Sequence, residues 1–274
     1  MPVISTNTAA NSAVRYLNIN SSQMSSSLSK LSSGSKITQA SDDAAGLAIS
    51  TRISSDVTTL QQAATNASQA TSILQTADGG ASNISDILSR MKSLASQSSS
   101  ATVTDSSRAY LNSEFTALSD QIDSIATGTR YSGQSLLDGT SAFAAGASVL
   151  VGSTSADTIT VKLDDLTSAT LGVDTLDVST QAGATAAIDA LDTAIDTVSA
   201  ARATIGAQES RFNFSASSIS TQSQNLQAAN SAITDVDIAA EQAKLSSSQV
   251  KVQAAVAAES SANQMPQYLL KLLG

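Results

Sequence analysis

Few residues in this chain could do chemistry, and their spacing argues against it. Two acidic pairs stand out, Asp42-Asp43 and Asp164-Asp165. Tandem carboxylates are raw material for acid–base work or hard-cation binding. Adjacent side chains on a helix project about 100° apart and do not converge on one atom, so the first pair reads better as negative charge at a helix start. Gly79-Gly80 and Gly133 lack the spacing of a phosphate loop, and neither glycine-rich nucleotide fingerprint occurs. Histidine and cysteine are both absent, which removes Ser-His-Asp and Cys-His nucleophilic sites, His- or thiolate-ligated zinc, c-type haem attachment and disulfides. Asn66-Ala67-Ser68 and Asn83-Ile84-Ser85 match the N-glycosylation pattern, but a serine-rich chain generates such matches by chance, and both fall on expected helices. No enzyme, cofactor or metal site is expected.

The elements that carry these residues are long helices. The 274 residues contain no tryptophan and only 3% aromatics, and small side chains suit helices that approach closely along their length. The net charge of −9, without clustered Lys and Arg, argues against a nucleic-acid partner. The charge is uneven: Arg15, Lys30 and Lys36 stand in an acid-free start, whereas aspartates crowd the middle from Asp157 to Asp196. That pattern suggests a partner-facing start and a solvated centre. The start has no basic-then-apolar signal, and no run approaches a membrane span, so neither a cleaved signal nor membrane insertion is expected.

Val14, Leu17, Ser21, Met24, Leu28 and Leu31 step by three and four, the rhythm of helices packed side by side, and Gly34 then gives a helix stop. A new helix is expected after it, capped by Ser41 with Asp42 and Asp43 on its positive end. Its rhythm runs from Ile49 to Leu74, and Asp78-Gly79-Gly80 is expected to end it, with a further helical segment from Ile84 to Ala95. Thr104 or Asp105 can cap the next helix, whose seam is Leu111, Phe115, Leu118, Ile122 and Ile125 up to Gly128. The period then changes to two. Val149 and Val151 against Ile159, Val161 and Leu163 predict a hairpin, and Val173, Leu176 and Val178 predict another short strand.

From Ala184 the helical rhythm returns and runs unbroken to Ile233. A seam this long predicts one rod-like helix; its polar members Arg202, Glu209, Ser223 and Asn230 either fix register or lie at the seam's edge in water. The segment 235–274 is apolar nearly all round, with Val250, Val252 and Val256 among its members, and Pro266 is expected to kink or end it before Leu269, Leu270, Leu272 and Leu273. The two ends share a need for cover, which pairing meets in part and further copies of the chain would complete.

Leu31 to Ile49, with Leu31-Ser32-Ser33-Gly34, Ile37 and Asp42-Asp43-Ala44-Ala45-Gly46-Leu47-Ala48-Ile49, resembles the N-terminal motif of bacterial flagellin. Leu74 to Gly79 resembles that family's first helix–helix turn. Tyr131 to Gly139 resembles its turn after the second helix pair, with Ser132 where Asn is common. Arg202, Ile205-Gly206-Ala207 and Arg211-Phe212 resemble its long C-terminal rod helix, and Asn263-Gln264-Met265-Pro266 with the following leucines its carboxyl end.

The resemblance implies a mainly α fold. A coiled-coil-like terminal core would be formed by residues 1–40 and 234–274, and an inner rod by 41–127 and 183–233. The segment 128–182 would be a short variable β-containing piece in place of large outer domains. It implies a secreted structural subunit that polymerises into the extracellular flagellar filament for swimming. The implied partners are copies of itself as a homo-oligomer, the flagellar export apparatus, an export chaperone, the filament cap and hook-associated proteins. Val14, Leu17, Met24, Leu28, Leu31, Val250, Val252, Val256 and the four C-terminal leucines would carry self-assembly, with Gly34, Ser41, Asp42 and Asp43 at a hinge. Ser89 to Ala95 with Glu114 resembles the surface that a host toll-like receptor recognises on many flagellins. Arg90, Leu94 and Glu114 match it, whereas Ser93 stands where that pattern has an acid. Exposed Ser and Thr near 96–107 and 141–160 are candidate O-glycan acceptors. A hook–filament junction protein and a secreted coiled-coil adhesin remain the competing readings.

Overall fold

The computed structural model describes residues 7–273, and their side chains except at 266 and 268–273. The chain divides into two compact units, one formed by 1–55 with 225–274 and the other by 56–224.

In the first unit, α1 (Thr8–Ser33) begins where the Asn7 side chain accepts from the Ala10 N–H at 3.0 Å and ends at Gly34, whose φ of 71° is the left-handed turn expected there. It packs along α7 (Ile238–Leu273). The helix α7 runs through position 266 and is not broken there as expected. The helices α2 (Ala44–Ser99) and α6 (Gln181–Thr234) contribute to both units, and α6 is the single long helix that its seam predicts.

In the second unit, α3 (Asp105–Gly128) starts on the side chain of Thr104, which accepts from the Ser107 N–H at 3.3 Å. Leu60, Leu74, Ile84, Leu88, Met91, Phe115, Ile122, Leu191, Val198 and Phe212 are buried to 0% exposure, so the three helical segments share one filled interior. Arg202 reaches Asp78 at 2.8 Å, which binds α6 to α2 side by side.

The expected stop at Asp78-Gly79-Gly80 does not occur: α2 continues through all three residues, and neither glycine has positive φ. A glycine ends a helix only by adopting the left-handed conformation, and here Ala77, Ala81 and Ile84, all fully buried, hold the backbone helical. Gly80 is required by space instead. A Cβ at this position would lie 2.5 Å from Thr129 Oγ1 and 2.9 Å from Leu137 Cδ1, so its absence lets the end of α3 and the following turn approach α2. The family's helix–helix turn therefore does not lie at 74–79.

The expected hairpin is present. β3 (Ala147–Leu150) pairs antiparallel with β4 (Thr158–Val161), placing Val149 opposite Ile159. A smaller hairpin, β1 (Arg130–Tyr131) with β2 (Gln134–Ser135), was not expected because two-residue strands are too short for a periodicity signal. Two short helices, α4 (Ala142–Ala145) and α5 (Ser168–Leu171), flank the larger hairpin. The strand expected at Val173 to Val178 is absent. Val173 and Val178 are buried, but the Val178 N–H donates to Asn112 Oδ1 at 2.9 Å and its carbonyl accepts from Ser98 Oγ, so side chains satisfy a backbone that a sheet would otherwise pair.

Candidate assembly surfaces

The terminal pair has an inner and an outer face. On α1 the buried or half-buried positions are Ala10, Ala13, Leu17, Asn20, Met24, Ser27 and Leu31, with Lys30 half-buried beside the last; on α7 they are Glu241, Leu245, Ser248, Val252, Ala255, Glu259 and Ala262. Each set steps by three and four, and the helices run antiparallel. Asn7 Nδ2 donates to the Ala262 carbonyl at 2.7 Å at one end, and the buried Ser27 hydroxyl lies beside the buried Glu241 carboxylate at the other. Glu241 also holds Lys244 at 3.0 Å. The Ser27 hydroxyl and the Lys244 ammonium together keep the Glu241 carboxyl below the usual glutamate range.

The proposed assembly residues therefore separate into two groups. Leu17, Met24, Leu31 and Val252 lie half-buried in the intramolecular seam. Val14, Leu28, Val250 and Val256 are 38%, 58%, 63% and 51% exposed and belong to the outer face. Val14, Ser21 and Leu28 are thus not seam members: at each of these steps the inward residue is one position earlier, Ala13, Asn20 and Ser27. Leu269, Leu270, Leu272 and Leu273 lie outside the described residues as far as their side chains are concerned. Tyr16, Ile19, Ile238 and Met265 add to the outer apolar face; Tyr16 and Ile19 lie outside the expected seam of α1, which carries apolar residues on both stripes.

The segment between α1 and α2 is tied to the end of α6. Ser35 and Asp235 form an isolated antiparallel bridge, the Lys36 N–H donates to the Thr234 carbonyl at 2.7 Å, and the Val236 N–H donates to the Gly34 carbonyl at 3.0 Å. Lys36 Nζ donates to the Ala232 carbonyl at 3.2 Å, a cation on the negative end of α6. The cap of α2 is Asp43, not Ser41: the Gly46 N–H donates to Asp43 Oδ1 at 2.8 Å, whereas Ser41 Oγ meets only Gln39. A two-residue turn before the helix puts the second aspartate at the capping position. Gly46 follows from this cap, since a Cβ there would lie 2.3 Å from Asp43 Oδ2 and 3.0 Å from Ile37 Cδ1. Asp42 accepts from the Thr38 N–H and hydroxyl at 3.0 Å each, and those bonds hold its carboxyl below the usual range. Asp237 caps α7 in the same way, accepting from the Ala239 and Ala240 N–H groups at 3.0 Å.

On the second unit, Arg90 and Glu114 form an exposed ion pair at 2.6 Å between α2 and α3. Leu94, expected beside them on a receptor-facing surface, is 1% exposed and belongs to the interior. No group of three or more acidic side chains that could hold a metal ion occurs among the described residues.

Two family models cover the chain: the bacterial flagellin N-terminal helical region over residues 4–142 and the C-terminal helical region over residues 188–273. The chain belongs to the bacterial flagellins. It is 37% identical to a flagellin of Halalkalibacterium halodurans over 273 residues, covering 99% of both chains. The crystal structure of Bacillus cereus flagellin is similar at a TM-score of 0.52 and 33% identity, covering 61% of this chain and 94% of that one. A hook-associated protein structure from Vibrio parahaemolyticus, described as putative, shares the fold at a TM-score of 0.59 and 15% identity, covering 70% and 99%. As a flagellin, the chain is a structural subunit of the bacterial flagellar filament, which is extracellular. Among the described residues no helix is long and apolar enough to cross a membrane.

Proposed function

We propose that the flagellin subunits are joined through the outer faces of α1 and α7, and that residues 1–40 and 234–274 are the segments that neighbouring copies complete. The observation that carries this reading is the placement of the larger apolar side chains. Val14, Leu28, Val250 and Val256 face outward, while Ala13, Ser27, Ser248 and Ala255 occupy the seam within the pair. Solvated apolar stripes on both helices supply the burial that drives association. Gly34, Asp42 and Asp43 shape the connection between α1 and α2. Export apparatus, chaperone, cap and hook-associated proteins are the further partners of this surface before and during assembly. A host receptor reading retains Arg90 and Glu114 and loses Leu94, whose side chain is interior.

Sheared filament seeds mixed with the full chain test the proposal. The parent chain elongates them, and Leu28→Asp or Val256→Asp stops elongation while leaving helical melting within about 0.5 kcal/mol, because both sites are exposed in the single chain. Normal growth of either variant would contradict the outer-face reading. Failure of the parent chain to elongate seeds under several salt conditions would favour a low-copy junction protein.

A further inference from the structure

The seam of the α1–α7 pair holds polar residues at regular intervals, and they face one another. The two anchors, Asn7 on Ala262 and Ser27 on Glu241, are separated by nearly the same length of chain on the two helices. Counting between them is therefore unambiguous. It sets Met24 opposite Leu245, Asn20 opposite Ser248 and Leu17 opposite Val252. From Ser27 back to Leu17, polar and apolar layers alternate. Ser27, Glu241 and Ser248 are 2%, 7% and 5% exposed, so these polar groups lie in the seam and not in water.

We propose that the Ser27–Glu241 layer, backed by the Asn20–Ser248 layer, determines the register of α1 against α7 and so fixes which outer stripe the subunit offers to its neighbours. A half-heptad slip would set Glu241 against Met24 and Leu245 against Asn20. A full-heptad slip in either direction takes Glu241 away from Ser27, and in one direction it brings Leu17 against Glu259. Each misplacement leaves a buried carboxylate short of its donor or pressed on an apolar side chain, whereas an all-apolar seam of small residues would tolerate several registers. A slip of seven residues moves the α7 stripe by about 10 Å along α1, which would misalign Val250 and Val256 with Leu28 and Val14. The inference rests on the filament reading for its consequence and not for its geometry.

The absence of cysteine in the chain makes the test clean. Leu17→Cys with Val252→Cys reports the native register, and Leu17→Cys with Leu245→Cys or Glu259→Cys reports a heptad slip; intrachain disulfides are counted in seeded filaments by non-reducing gel and peptide mass. With Ser27 and Glu241 intact, the bond is expected only in the native pair. Adding Ser27→Leu with Glu241→Leu should lower the native-to-slipped ratio by at least about 10-fold, the scale of one buried polar partnership. Glu241→Gln, which keeps an acceptor for Ser27, should leave the ratio within about twofold. An unchanged ratio in the Leu–Leu chain overturns the proposal, as does a Gln variant that scrambles equally. Should the parent chain fail to elongate seeds, the filament reading falls, while the same disulfide ratios in the free chain still decide the register.

Discussion

The two units distribute their large side chains differently. In residues 56–224, leucine, isoleucine and phenylalanine fill the interior, and serine, threonine and aspartate meet water. In the terminal pair the interior mixes small residues (Ala10, Ala13, Ser27, Ser248, Ala255, Ala262) with Leu17, Met24, Leu31, Leu245 and Val252, while further large apolar side chains, Val14, Tyr16, Ile19, Leu28, Val250 and Val256 among them, face outward. The first arrangement stabilises a single chain. The second leaves Val14, Leu28, Val250 and Val256 solvated, the distribution that the proposed assembly surface requires.

The largest predicted effect breaks the comparison if it fails. Phe115, fully buried in α3, should cost about 3–5 kcal/mol on replacement by alanine, measured by chemical denaturation of the monomer. Leu28→Ala in α1 should stay within about 0.5 kcal/mol in the same assay, while the filament critical concentration rises. A large monomer cost at Leu28 would mean that the outer face is covered within the chain.

Adjacent glycines sharpen the view of how tightly the middle unit is packed. Gly80→Ala places a methyl group against Thr129 and Leu137 and should destabilise by about 1–3 kcal/mol. Gly79→Ala meets nothing within 4 Å and should stabilise by up to about 1 kcal/mol, the helix preference of alanine over glycine. Thermal melts of the two variants check the opposite signs. A stabilised Gly80→Ala would mean that the α3 end moves away freely.

A buried acid, Glu241, and a half-buried one, Glu209, give the two units opposite pH responses. The depressed carboxyl of Glu241 favours the terminal pair fully above the ordinary glutamate range, and this contribution is lost as pH falls through the lower folded value. Glu209 is raised instead, by burial and then by Asp78, and its Oε1 has no hydrogen-bond partner. The middle unit should therefore lose stability as pH rises from the ordinary glutamate range through that raised value, and Glu209→Gln should remove this slope. Melting of parent and variant across acidic to neutral pH checks the sign, and a parent curve that rises throughout this window would exclude the Glu209 effect.

Much of this was legible in the sequence. The long helix α6 is legible from its rhythm, but only half of its seam is: Leu191, Val198, Ile205, Phe212 and Ile219 are buried, whereas Ala187, Ala194, Ala201 and Gln208 are buried one position before the expected Ile188, Ile195, Arg202 and Glu209; the β3–β4 hairpin reads correctly from period two. The terminal seam was partly misread. Size suggests that Val14 and Leu28 belong inside, yet Ala13 and Ser27 one position earlier allow closer helix approach, and neither stripe of α1 is polar enough to exclude the other. Gly79-Gly80 was misread because a glycine's conformation depends on its surroundings, which for Gly80 are Thr129 and Leu137, far along the chain. At the joint the motif located the helix start, but which oxygen caps it depended on the turn made by Thr38 to Asp42.

The smallest predicted effect tests whether the middle unit carries strain that its packing overrides. The β1–β2 loop has Ser132 at φ 50° and Gly133 at φ 83°, a two-residue turn with both central residues left-handed. Glycine adopts that conformation freely and asparagine tolerates it, but serine has neither advantage. Leu136 and Leu137 directly after the hairpin are each 1% exposed, so their burial holds the loop in place despite the serine. Ser132→Asn should relieve part of the cost and stabilise the monomer by about 0.5 kcal/mol, while Ser132→Val should destabilise it by a comparable or larger amount, because a β-branched side chain fits the left-handed region worst. Equal melting temperatures for the parent, Asn and Val chains would show that the turn relaxes at no cost, and the tight packing of the middle unit would then not extend to its loops.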